Sequence, residues 1–482
     1  MQYNYLNFYR ASGWWTLAAS IPVFGFIILL CLGFDGLFGQ DSYEYLSYAK
    51  KLKLYLMGGE YPGDIVWPKA YLGVLSLGLF IVNSAFAGQL LSFCCFLGTA
   101  LALYKIVLAL YQDQRSAAIF VTITFLLSAY MFRTSVVVMS DAFSVFCLTL
   151  TFHYALNYAS TLRVKDIILF SLTASLGVFS RYAVLVPLAP IIFWTTLNWL
   201  KGKQWKHALA LLFFLVGYLF NEHLEGSGSL FLNHHLIKQW SVTNFFESEF
   251  INTTDLQQPS ATFLLPNLLY NFIGLFHPGF FLLSPLLIFF ALPIKRPRKE
   301  FVVLMLSCVF YLIFLSGLIF QSSRYLLLIY PLFLVMLFPA FIKLMGRINR
   351  WERRWVQWSV LLLIGAQLAL LERGIWPSYS MNSLEREVAE SLMQYEGSTL
   401  YSFELDISLQ QRGVEMNYKS LWKQRYTSFE KGGLVLFNPE RVNQTFKGKN
   451  PMLNWKQLSI NNTLVPLLSF KDGWNLYKIE ND

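Results

Sequence analysis

"GWWTLAASIPVFGFIILLCLG", Gly13 to Gly33, runs directly into "FDGLFGQDSYEYLSYAKKLKLYLMGGEY", Phe34 to Tyr61. The first stretch carries no charge and, at about 1.5 Å per helical residue, can cross a hydrocarbon core of roughly 30 Å. It is too long for a signal-peptide core and lacks a small-residue cleavage site, so it reads as a retained anchor. The second stretch gathers Asp35, Asp41 and Glu44 where the chain leaves the membrane. Asp41 followed three residues later by Glu44 has the form of a variant capping box, in which side-chain oxygens satisfy the first backbone N–H groups of a helix. The alternative is a catalytic carboxylate at a membrane surface. The rest of the chain has to choose between them.

Of 482 residues, 55% are hydrophobic and 14% charged, and the mean hydropathy is +0.46. Soluble domains carry roughly 25% charged residues. The apolar runs are long rather than alternating, which makes this an all-α polytopic membrane protein. A net charge of +10 could suggest nucleic acid, but much of it sits in short loops between apolar runs, as membrane topology requires. Cys31, Cys94, Cys95, Cys147 and Cys308 all lie inside apolar runs without metal-ligand spacing or a loop partner, and read as small buried hydrophobes.

Hydropathy predicts about eleven spans, near residues 13–33, 84–110, 117–135, 141–159, 166–180, 183–200, 207–220, 268–292, 301–319, 325–343 and 355–372. With Arg10 cytoplasmic, the inside loops are those at Arg115, at Arg163 and Lys165, at Lys201, Lys203 and Lys206, at Lys295, Arg296, Arg298 and Lys299, and at Lys343, Arg347, Arg350, Arg353 and Arg354. Nearly every basic loop falls on that side, which supports the orientation. The opposite face receives the loop 34–70, the turn 132–141, the loop 221–266 and a tail over 373–482. Residues 1–372 therefore form the membrane domain. In the tail, "STLYSFEL", "GGLVLFNP" and "GWNLYKIE" read as strands and "EREVAESLMQYE" as a helix, which predicts a small α/β domain over 373–482.

In the opening loop, Tyr45, Tyr48, Ala49, Leu52, Tyr55 and Leu56 follow helical spacing, while Lys50, Lys51 and Lys53 fall elsewhere. That pattern is an amphipathic helix along the interface. "WPKAYLGVLSLGLFIVN" follows as an apolar piece expected either to lie on the outer leaflet or to dip into it rather than to cross it.

Charges at the ends of spans cost free energy unless paired or functional. Arg133, Arg181, Arg324 and Asp141 all stand at the outer ends. Each arginine alone reads equally well as a snorkelling anchor. Together, facing the side that carries Asp41, they suit a substrate with a lipid tail and a phosphate head, since arginine's planar fork matches phosphate oxygens. His277, in "GLFHPGFFLLSP", sits at a helix break near the same surface, where it either meets a polar headgroup or caps the helix. His234 and His235 have no third ligand at metal spacing. No Walker loop, GxSxG or GxGxxG motif is present to support nucleotide chemistry or serine hydrolysis.

In chain order, "GQDSYEYLSYAKKL", "MSDAFSVFCLTL", "ASLGVFSRYAVLVPLAP", "GLFHPGFFLLSPLL" and "SSRYLLLIYPLF" resemble the GT-C membrane glycosyltransferases. The likeness is in particular to bacterial relatives of the protein O-mannosyltransferases and lipid A aminoarabinose transferases. The resemblance covers about residues 10–339. It departs from the family pattern in the first loop, where Asp41 and Glu44 stand three apart instead of adjacent. The oligosaccharyltransferase signature WWDYG is absent from the tail.

The resemblance implies transfer of a hexose or pentose from a polyprenyl-phosphate donor to a hydroxyl on a lipid, glycan or protein, on the outer face of a bacterial inner membrane. Asp41 is then the first candidate base, with Glu44 and Asp141 as further catalytic carboxylates. Arg324 is the first candidate for the donor phosphate, followed by Arg181 and Arg133, while Asp35 and His277 contribute to substrate binding. The chemistry needs a base and a cation, with a divalent metal as an optional aid and no nucleic acid partner. A lipid or solute transporter is the rival, although transporters more often place ionisable groups at the bilayer midplane in repeated halves. A non-catalytic scaffold presenting the tail is a third reading.

Overall fold

The computed structural model describes residues 12–480 apart from 64, 66, 112–114, 203–204, 226–234, 251–260, 263–264, 286, 288–297, 320, 349–352 and 447. Arg10, Lys203, His234, Lys295, Arg296 and Arg350 fall outside the described residues. Each of the eleven apolar segments holds a helix where it is described. Among the described residues, four helices are long and apolar enough to cross a membrane: Ala85–Leu110, Tyr182–Gly202, Lys299–Ser316 and Ser323–Leu344. A fifth candidate is the pair Ala118–Leu126 and Ala129–Ser135, bent by 61°.

The bend has a polar reason. Ser128 caps the second piece by accepting a hydrogen bond from Met131 N (3.4 Å). The amide of Gln367, a buried residue, donates to Leu127 O (2.8 Å) and accepts from Leu282 N (3.2 Å). Backbone groups released at a break need such partners where water is scarce. The piece Ala70–Ile81 is a separate 12-residue helix, about 18 Å long and too short to cross.

The chain packs into two compact units. Leu37–Ser47 groups with Trp376–Asp482, and the remaining membrane helices form the other. Two expected boundaries move. The segment expected to end at residue 372 is one helix, Arg353–Leu392, which continues with Pro377 inside it. The acidic stretch around Asp41, expected with the membrane domain, packs with the tail.

The expected α/β character of the tail takes the form of a five-stranded mixed sheet. Its strands are β1 (Thr399–Ser402), β2 (Asn417–Ser420), β3 (Leu434–Phe437), β4 (Thr463–Ser469) and β5 (Asn475–Glu480), in the order β2-β1-β3-β5-β4. β1 runs parallel to both β2 and β3, while β5 is antiparallel to β3 and β4. The parallel pairs need helical crossovers, and Asp406–Gln411 supplies the first. Tyr401, Val435, Phe437 and Ile479 from the strands meet Val442, Met452 and Leu458 from the later helices in one apolar core.

Candidate functional site

Asp141 lies in the first turn of the helix Ser140–Thr161, where the positive end of the helix dipole favours a carboxylate. Its side chain is only 1% exposed. Arg181 donates from Nη1 to Oδ1. Arg324 donates to Oδ2 from Nε (3.0 Å) and Nη2 (2.7 Å). The two arginines keep about a fifth of their side-chain surface exposed, 20% and 19%. The carboxylate is thus sealed inside while part of each arginine side chain stays accessible.

Local sequence explains how each arginine arrives. Arg181 sits in the short connection between the helices Val164–Val178 and Leu185–Gly202. Ser180 Oγ in that turn lies 2.8 Å from Ser144 Oγ. A Cβ on Gly177 would stand 3.2 Å from Cys147 Cβ and 3.3 Å from a Val184 methyl, so the Gly…Arg pattern reflects a close helix approach that brings Arg181 to Asp141. Arg324 opens the short helix Ser323–Leu326 behind Ser322, whose hydroxyl accepts from Arg324 N (3.3 Å).

Arg133 is buried and close enough to Arg324 and Asp141 to feel both charges. Its guanidinium lies 5.6 Å from the centre of the Tyr130 ring. Tyr130 stacks on His277, with its hydroxyl 3.0 Å from Nδ1, and that nitrogen also accepts from Gly279 N (3.0 Å). The helix break at His277 thus places the imidazole against the arginine group through a tyrosine. Any side chain at Gly279 would enter the Tyr130 ring.

Asp35 is half-buried in a segment tied to this region. Val138 N donates to Gly36 O (2.9 Å) and Gln89 Nε2 to Phe34 O (3.3 Å), so Phe34–Gly36 runs beside the link between Arg133 and Asp141. Asp41 is half-buried and Glu44 exposed on the helix Gly39–Leu56, in the segment that packs with the tail. The capping-box reading of this pair does not hold. The helix begins at Gly39, two residues before Asp41, and Ser42 serves its start by accepting from Phe38 N (2.6 Å). Asp41 is a first-turn residue, not a cap.

Sequence reading missed Lys69, which is fully buried. Its backbone N–H donates to Asn221 Oδ1 (3.2 Å), Asn221 Nδ2 donates to Tyr182 Oη (2.9 Å), and Ala70 N donates to Phe179 O (2.7 Å). These bonds place Lys69 beside the turn that carries Arg181. A lone lysine inside an apolar stretch was the available signal. Among the described residues no group of three or more His, Cys, Asp or Glu side chains could hold a metal ion.

The fold of this chain, with one unit of apolar helices and a small mixed α/β unit, is similar to that of solved structures of ArnT. ArnT from Cupriavidus metallidurans in the apo state is 10% identical, with a TM-score of 0.57 over 97% of this chain and 98% of ArnT. The same protein bound to undecaprenyl phosphate is 13% identical, with a TM-score of 0.58 over the same shares. The Archaeoglobus fulgidus oligosaccharyltransferase in the apo form is 11% identical, with a TM-score of 0.47 over 97% of this chain and 74% of its own. No protein-family model and no curated protein matches the sequence.

Proposed function

We propose that this protein is a membrane glycosyltransferase that moves a sugar from a polyprenyl-phosphate donor to a hydroxyl acceptor on the non-cytoplasmic face. The observation that carries the reading is Asp141 holding Arg181 and Arg324, from distant parts of the chain, in one partly exposed cationic group with Arg133 beside it. Three arginines gathered at one place suit a phosphate diester, whose oxygens the planar guanidinium fork matches. The fold shared with ArnT, a protein solved with undecaprenyl phosphate, supports the same donor class.

Asp41 takes the acceptor hydroxyl's proton as its oxygen attacks the anomeric carbon. The bond from that carbon to the phosphate oxygen breaks, and polyprenyl phosphate leaves as an anion. Arg324 and Arg181 stabilise the charge developing on it. A phosphate leaving group needs charge stabilisation more than protonation, so no acid is required. Glu44 and Asp35 are the alternative carboxylates, and His277 lines the headgroup end through Tyr130. Asp141 orients the arginines.

Purified protein in lipid nanodiscs, given a panel of undecaprenyl-phosphate hexoses and pentoses with envelope lipids as acceptors, tests the proposal by thin-layer separation. Consumption of one donor with release of undecaprenyl phosphate is the expected result, and parallel reactions with a chelator decide metal dependence. Donor moved between leaflets without being consumed would establish the transporter instead.

A further inference from the structure

Within the unit formed by Leu37–Ser47 and Trp376–Asp482, Tyr43 is 1% exposed and Glu385 2%. The Tyr43 hydroxyl donates to Glu385 Oε2. Arg412 Nη2 donates to the Tyr43 hydroxyl (2.8 Å), lies 3.5 Å from Glu385 Oε2, and its guanidinium sits 5.6 Å from the Tyr43 ring centre. Two flanking bonds tie the same segment: Asn382 Nδ2 donates to Leu37 O (2.9 Å) and Gln411 Nε2 to Ser47 Oγ (3.3 Å). A buried ion pair is a poor device for stability alone, because desolvation offsets much of its attraction. What directional bonds add over apolar contact is a fixed rotation and register.

The helical geometry gives that rotation a consequence. Each residue turns the helix by about 100°, so Tyr43 and Ser47, four apart, share a stripe. That stripe meets Gln411 and Arg412. Asp41, two residues from Tyr43, points roughly 200° away from it, and Glu44 falls near Asp41's side of the helix. Locking Tyr43 therefore aims Asp41.

We infer that Tyr43, Glu385 and Arg412 are positioning residues for the acidic segment, and that the C-terminal unit, through them, is required for turnover rather than being an appended domain. The inference rests on Asp41 acting as the base. A slip of one residue in the register would swing the carboxylate by about 100°, and misplacing a catalytic group by about 1 Å can cost ~10²-fold.

The test uses full-length Tyr43→Phe, Arg412→Met and Arg412→Lys, with Asp41→Asn alongside. Three readings are taken: amide hydrogen exchange over Gly39–Ser47, binding of undecaprenyl phosphate, and kcat with whichever donor of the panel is consumed. Arg412→Met is expected to raise exchange over Gly39–Ser47 and to lower kcat by about tenfold or more. Undecaprenyl phosphate affinity should stay within about twofold, since Arg181 and Arg324 are untouched. Tyr43→Phe should give a smaller effect of the same pattern, and Arg412→Lys should restore part of kcat because it keeps the charge opposite Glu385. Unchanged exchange and unchanged kcat in Arg412→Met and Tyr43→Phe would overturn the inference. So would raised exchange with full kcat when Asp41→Asn is dead. If Asp41→Asn is itself fully active, the assignment of the base fails, and the positioning role falls with it. Equal loss of phosphate binding and kcat would mark Arg412 as a general structural support and also overturn it.

Discussion

Replacing Asp141 with asparagine removes the charge shared by Arg181 and Arg324 while keeping the shape of the side chain. In the native protein Oδ2 accepts from Arg324 Nε (3.0 Å) and Nη2 (2.7 Å), and Oδ1 accepts from Arg181. An amide offers one oxygen and one NH2, so whichever way it turns, a donor faces a guanidinium donor. Charge-assisted hydrogen bonds contribute about 1.5–3 kcal/mol each, and breaking a buried pair from one side costs about 3–5 kcal/mol. Because both arginines are about one-fifth exposed, water recovers part of the loss, and the lower end, about 3 kcal/mol, is the expected destabilisation. Thermal unfolding in nanodiscs should show a clear drop for Asp141→Asn. A double-mutant cycle with Arg324→Met should give a coupling of about 1.5 kcal/mol or more. Donor binding should respond differently, because the cationic group gains a net positive charge. Affinity for undecaprenyl phosphate should therefore fall less in Asp141→Asn than in Arg324→Ala. Wild-type melting with no coupling to Arg324 would refute the reasoning, as would phosphate affinity lost as fully as in Arg324→Ala.

Arg324→Ala should weaken undecaprenyl phosphate binding by roughly 10- to 100-fold, with Arg324→Lys in between, because lysine keeps the charge and loses the fork; equal affinity in all three proteins would remove Arg324 from the donor site. Asp41→Asn should fold normally, since Ser42 secures the helix start, and lose turnover by roughly 10²-fold. Loss in Glu44→Gln or Asp35→Asn instead would identify a different base. Cysteines placed at the exposed positions Lys456 and Lys299 should be tagged by an impermeant maleimide from opposite sides, with Lys456 outside; tagging of both from one side would overturn the topology and the mechanism together. Burial pushes the Asp406 carboxyl above its ordinary range, and that of Glu404 as well, despite the Arg441 guanidinium beside it. A raised acid favours folding while protonated, so the stability of the C-terminal unit should decline as pH rises through these folded-state pKa values. Hydrogen exchange over Thr399–Ser402 should speed up across that range in the wild type, and less in Asp406→Asn.

The helices, the strands of the tail and the candidate arginines were legible in the sequence because each is written locally. An apolar run of fixed length makes a span, alternation makes a strand, and a charge at the end of a span is conspicuous where it stands. The amphipathic spacing after Asp41 was of this kind: Tyr45, Tyr48, Ala49 and Leu52 are buried as their periodicity predicts, while Tyr55 is half-buried and Leu56, at the helix end, is exposed. The helix start was misjudged within the same stretch: the side chain that serves the first turn is Ser42, reaching back four residues, a choice that propensity at Asp41 does not reveal. Tertiary structure decided the pairings. Asp141 meets Arg181 and Arg324 across 40 and 183 residues, and Tyr43 meets Glu385 and Arg412 across 342 and 369. A buried charge must find a partner, but the sequence does not say which one, because that depends on how close the helices can come, at positions such as Gly177. Lys69 marks the same limit: its position within an apolar piece was visible, while its burial beside the Arg181 turn follows from packing that no local pattern records.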